Sequence, residues 1–236
     1  MTAPTITPRD RLIFALDVPD ATAARQLVEQ LGDSVTFYKI GLELMAAGGY
    51  FELVDWLLQR NKKVFADLKL FDVPATVSRA VSLLANRGIT FATVHGNQGI
   101  MEAAAAAKGE LKILAVTVLT SLDRGDLDDL GFKCDVEALV LSRARRALEA
   151  GCDGVVASGL ELPAMRRAID SRLLVVTPGI RPVENRPSDD QKRVVTVEQA
   201  FADGANYIVV GRPIRDAKDP RAAAEAIQQT IAQRFS

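Results

Sequence analysis

Cysteine, histidine and tryptophan are nearly missing from this 236-residue sequence, which holds two, one and one of them. Cys134 and Cys152 have neither CxxC spacing nor the count of a disulfide framework, so they read as packing or surface thiols in a reduced compartment. A single histidine, His95, cannot build a histidine-rich metal site, and HExxH, GxSxG and GxxxxGKS are all lacking. Net charge is lacking too: 29 Lys and Arg face 30 Asp and Glu, giving −1. That balance offers no electrostatic footprint for nucleic acid or an anionic membrane, and leaves a small molecule as the expected partner. No apolar run approaches the ~18 residues of a spanning helix. The opening MTAPTITPRDR has no basic region followed by an apolar core. The expectation is a soluble cytoplasmic protein forming one domain over residues 1–236.

Apolar runs of strand length alternate with stretches of helical period, and eight such units can be counted. The strands are Leu12 to Val18, VTFYKIGLEL around Lys39, KKVFADLKLFD around Asp67, and FATVHG ending near His95, followed by LKILAVTVLTS, GVVASG, LLVVTPGIRP and YIVVGRPI. Helices between them carry their own punctuation. Asp20 is a candidate N-cap, Gly88 and Gly109 are stops, and Pro74 and Pro220 suit a first helical turn. The LDRGDLDDLGFKCD connection is long and polar enough to hold an extra short helix, its DLDD a solvated face rather than a ligand set. Eight βα units in a chain near the usual ~250 residues predict a closed (β/α)8 TIM barrel. An open doubly wound sheet would put GxGxxG after the first strand, and LDVPDATAA has no glycine there.

The most informative strand is the third. Strand side chains alternate faces, so Asp67 and Lys69 point one way while Val64, Ala66, Leu68 and Leu70 point the other. The charged face must meet either solvent or a barrel interior. In barrels the active site lies at the C-terminal ends of the strands. Asp17, Lys39, Asp67, Lys69, His95 and Thr120 fall near such ends. Charges buried there are costly unless paired, and Asp17, Lys39, Asp67 and Lys69 alternate in sign along three adjacent strands. A second cluster follows strands seven and eight, where barrels often hold phosphate: Gly179 and Arg181 in TPGIRP, Gly211 and Arg212 in VVGRPI. Between them VENRPSDDQKR, 183–193, is long and polar, and its expected use is a lid over the anion. Two lysines beside the carboxylates argue against a divalent cation.

DLKLFDVPAT, from Asp67 to Thr76, closely resembles the signature of the orotidine 5′-phosphate decarboxylase family, in its bacterial monofunctional branch. The likeness extends through ALDV, FYKIG, AVTVLTS, TPGIRP, DDQKR and VVGRP, over nearly the whole chain. It implies a homodimeric (β/α)8 barrel that decarboxylates orotidine 5′-monophosphate to UMP in pyrimidine biosynthesis, with no cofactor and no metal. Residue by residue, it implies that Lys69 is the proton donor and Asp67 the carboxylate facing the substrate's carboxylate. Asp72 and Thr76 would reach the partner subunit's site. Lys39 and Asp17 would contact the ribose and complete the charge network, and Thr120 the pyrimidine. Arg181, Gln191, Gly211 and Arg212 would grip the phosphate. The lid before Gln191 is slightly longer than in some relatives. Magnesium-dependent sugar-phosphate decarboxylases and aldolases share D-x-K-x-x-D but generally lack the following Val-Pro-x-Thr, here Val73, Pro74 and Thr76. A barrel that only binds a nucleotide would not need Asp67 and Lys69 intact.

Overall fold

The computed structural model describes residues 6–181 and 194–235. Eight parallel strands close on themselves in chain order: β1 Leu12–Ala15, β2 Phe37–Gly41, β3 Lys63–Leu70, β4 Phe91–His95, β5 Lys112–Val116, β6 Gly154–Val156, β7 Leu174–Thr177 and β8 Tyr207–Val210. The expected (β/α)8 barrel is therefore the architecture found. Outside it lie α1 Ala21–Leu31, α2 Leu42–Ala47, α3 Tyr50–Leu58, α4 Pro74–Ala85, α5 Gln98–Ala107 and α6 Arg124–Asp129. They are followed by α7 Val136–Glu149, α8 Leu162–Ala168, α9 Val197–Ala202, α10 Arg212–Arg215 and α11 Pro220–Phe235.

Local chemistry accounts for the helix ends. The Asp20 carboxylate accepts from the Thr22 and Ala23 amides, and Asp123 and Asp126 form a reciprocal box at the start of α6. Pro74 and Pro220 open α4 and α11, where a missing N–H costs nothing. Two features were not foreseen. The helix expected at FELVDWLLQR is found as α3, but the end of the expected strand VTFYKIGLEL turns into the extra helix α2, parted from α3 by Gly48 and Gly49, whose φ values of 87° and 69° suit glycine. The short α10 follows β8 directly, with Pro213 in its first turn.

The barrel interior is packed, not hollow. Phe37, Phe91 and Tyr207, from β2, β4 and β8, meet with ring centroids 5.1–6.1 Å apart, and Phe65 adds an edge contact to Phe91 at 5.9 Å. The remaining even strand contributes Gly154, where a Cβ would come within 2.5 Å of the Leu174 carbonyl oxygen. Three rings thus fill a layer to which β6 offers no side chain. Each ring contributes roughly 1.5–3 kcal/mol by burial. Val64 and Ala66 of β3 face the other way, into the layer between barrel and helices, with Leu68 and Leu70 packed against it. The alternation read from the sequence holds, and the aromatic plug forms a floor beneath the strand ends.

Candidate active site

Directly above that floor, β3 departs from regular geometry. Ala66 pairs with Ala92 and Leu70 with Val94, so four residues of β3 run against two of β4. Within this slip Lys69 has φ 47°, left-handed for a residue with a Cβ, a conformation costing about 1–3 kcal/mol that surrounding structure must hold. The slip carries Lys69 onto the rim while keeping its side chain on the face of Asp67. Lys69 Nζ donates to Asp67 Oδ2 at 2.9 Å.

From this pair the charges run in alternation around the rim. Lys39 Nζ lies 3.6 Å from Asp67 Oδ2 and 3.0 Å from Asp17 Oδ1. Asp67 and Lys39 are nearly buried, with side chains 12% and 13% exposed, whereas Lys69 keeps 34%. Burial alone would pull the Lys39 ammonium down, but the Asp67 and Asp17 carboxylates outweigh it and hold its pKa above the usual lysine value. Burial alone would push the Asp67 carboxyl up, but Lys39 and Lys69, helped by hydrogen bonds, hold it below the usual carboxylate range. Both groups stay charged at neutral pH. Removing either partner would strand a buried charge, at about 3–5 kcal/mol.

The network opens into a cleft of about 470 Å³, within the roughly 300–1,000 Å³ of small-ligand pockets. One wall is apolar, made by Val116, Val118 and Leu119 with Val156 and Ala157. The lining also includes Gly179 and Arg181 after β7, and Gly211, Arg212 and Arg215 around α10. Apolar side chains, three arginines and a fixed ammonium in one cleft suit an anionic molecule with an apolar part and a second negative group. Asp17, Lys39, Asp67, Lys69, Thr120, Arg181, Gly211 and Arg212 all line this one cleft. Asp17 and Thr120 do so from loops, since β1 ends at Ala15 and β5 at Val116. His95 is not among the lining residues. It stacks on Phe71, centroids 4.6 Å apart, and bonds Asn97.

Asp72 and Thr76 stand apart from their own chain's cleft. Asp72 is exposed, its carboxylate accepting from the adjacent Val73 amide at 2.6 Å, and among the described residues it forms no ion pair with Lys69. Thr76, in the first turn of α4, accepts from Arg79. Gln191 and the 183–193 segment expected as a lid lie outside the described residues.

Two residues escaped the sequence reading. Arg215 donates to the Asp17 carbonyl at 2.8 Å and to Asp216 at 2.6 Å, tying α10 to the loop that carries Asp17. Thr93, wholly buried on β4, bonds both Asp67 and the Lys69 backbone. Its position was legible in principle, since Phe91, Thr93 and His95 alternate along one face. Among the described residues no group of three or more His, Cys, Asp or Glu side chains is placed to hold a metal ion. No helix among them is long and apolar enough to cross a membrane.

A closed parallel barrel with a paired acid and base at its C-terminal rim defines a (β/α)8-barrel enzyme. Residues 10–227 match the Orotidine 5′-phosphate decarboxylase / HUMPS family. An orotidine 5′-phosphate decarboxylase of Methylococcus capsulatus is 69% identical over 227 residues, 96% of this chain and 94% of that protein. One from Stenotrophomonas maltophilia is 53% identical, over 94% of this chain and 93% of its own. The crystal structure of the Lactobacillus acidophilus orotidine 5′-phosphate decarboxylase superposes with a TM-score of 0.83 at 35% identity, covering 94% and 99% of the two chains. The chain belongs to the orotidine 5′-phosphate decarboxylase / HUMPS family.

Proposed function

We infer that this chain decarboxylates orotidine 5′-monophosphate to UMP and CO2, using its own side chains. The observation that carries the reading is the Lys69–Asp67 contact of 2.9 Å on the rim of a cleft that arginines also line. Breaking the bond between C6 and the carboxylate leaves an electron pair on C6, in the ring plane, where no carbonyl delocalises it well. The ammonium of Lys69 stabilises that charge as it forms, then transfers a proton to C6 as CO2 leaves. Asp67, held ionised by two lysines, fixes Lys69 and faces the departing carboxylate. Lys39 and Asp17 take the ribose hydroxyls, and Thr120 with the apolar wall takes the pyrimidine.

Arg181, Gly211 and Arg212, joined by Gln191, bind the phosphate. That group does not react, so its binding energy serves to close the site and orient the base. Asp72 and Thr76 act in a second copy's cleft. Support comes from the exposure of Asp72, from the absence of both residues from their own cleft's lining, and from the apolar Phe71 and Val73 beside Asp72, 67% and 63% exposed, a combination that suits a homodimer interface. With charge balanced and thiols few, a cytoplasmic setting fits the same reading.

The test separates this reaction from magnesium-dependent sugar-phosphate chemistry on the same barrel. Purified protein dialysed against EDTA is expected to convert orotidine 5′-monophosphate at the rate of the untreated protein. Activity confined to a phosphosugar, lost on chelation and restored by magnesium, would reverse the assignment.

A further inference from the structure

Lys69 is held in an unfavourable backbone conformation at a point where the strand ladder is interrupted, and something must hold it there. On the β2 side the ladder continues through Gly41 and Asp67. On the β4 side pairing skips from Ala66 to Leu70, so the Lys69 amide lies within the gap. It donates instead to a side chain, Thr93 Oγ1, at 2.9 Å. The same hydroxyl spends its single proton on Asp67 Oδ1, also at 2.9 Å. Asp67 therefore uses one carboxylate oxygen for Thr93 and the other for the two lysines.

We propose that Thr93 is a positioning residue for the decarboxylation, its hydroxyl locking the Asp67 carboxylate and the left-handed Lys69 backbone into one fixed geometry. Thr93 is completely buried and is not among the residues lining the cleft, so it acts through Asp67 and Lys69. A hydroxyl is suited to this place because it accepts from one group while donating to another. Valine has the same shape and does neither. With valine, the Asp67 carboxylate could rotate about its last torsion and the Lys69 amide would lose its partner in a buried setting. The ammonium would then no longer be presented at a fixed point relative to C6.

This inference rests on the decarboxylase reading, and its test keeps the two apart. For Thr93→Val, kcat is expected to fall about 10- to 100-fold, the scale of a misplaced reacting group. UMP affinity, assigned in the proposed function to the arginines of the cleft, is expected to stay within about threefold. Thr93→Ser keeps the hydroxyl and is expected to recover most of the lost rate, which a merely space-filling role for the methyl would not produce. Should the valine protein fail to fold, Thr93→Ser and Thr93→Ala supply the same comparison, serine fast and alanine slow. Wild-type kcat in the valine variant, or equal rates for serine and alanine, overturns the inference while leaving the decarboxylase reading intact. If the unaltered protein does not turn over orotidine 5′-monophosphate, both fall together.

Discussion

Lys69→Ala is expected to abolish turnover while leaving UMP binding nearly intact. The ammonium serves two steps in the proposed reaction, stabilising the charge at C6 and protonating it. Each kind of contribution is worth about two orders of magnitude or more, so a loss of at least ~10⁴-fold in kcat is expected. The fold should survive. Lys69 is one-third exposed on the rim, and Asp67 keeps Lys39 at 3.6 Å and Thr93 at 2.9 Å. Binding should survive as well, because Arg181 and Arg212, which also line the cleft, are left in place. The measurement is kcat with orotidine 5′-monophosphate beside calorimetric titration with UMP. Near-wild-type turnover would remove Lys69 as proton donor, and loss of both turnover and UMP binding would recast it as a binding residue.

A comparably large effect is expected from mixing subunits. Asp72 is three residues from Lys69 in sequence, yet it points to solvent and makes no ion pair with its own Lys69. If it completes the partner's site, a Lys69→Ala chain and an Asp72→Asn chain are each nearly inactive as homodimers. In a hybrid dimer one site has both residues intact and the other has neither. Random exchange makes about half the dimers hybrids with one working site each, so activity should rise to roughly a quarter of wild type. Absence of recovery, with exchange verified by a mass tag, would assign Asp72 to its own chain.

Most of the barrel could be read from the chain because each βα unit carries its own punctuation: Asp20 before α1, Pro74 before α4, Pro220 before α11. The rim charges were legible for a physical reason. Lys39 and Asp67 stand in otherwise apolar strands, and charges in such places need one another. What escaped the reading was geometry fixed by contacts distant in sequence. Nothing local to DLKLFD announces that β3 slips by two residues against β4, because the slip is closed by Thr93, 24 residues away. Arg215 was hidden similarly, since its tie to the Asp17 carbonyl spans 198 residues. The extra helix α2 is different: Leu42 and Leu44 continue the apolar run of FYKIG and so read as strand, although β2 ends at Gly41.

The most direct test of the central claim follows the proton. Purified protein treated with EDTA is given orotidine 5′-monophosphate in D2O, where the Lys69 ammonium has exchanged, and the products are identified by mass spectrometry and NMR. The account predicts one CO2 for each UMP formed, with deuterium at C6 and nowhere else on the ring. Unchanged orotidine 5′-monophosphate, or UMP appearing without stoichiometric CO2 and C6 deuterium, would contradict it.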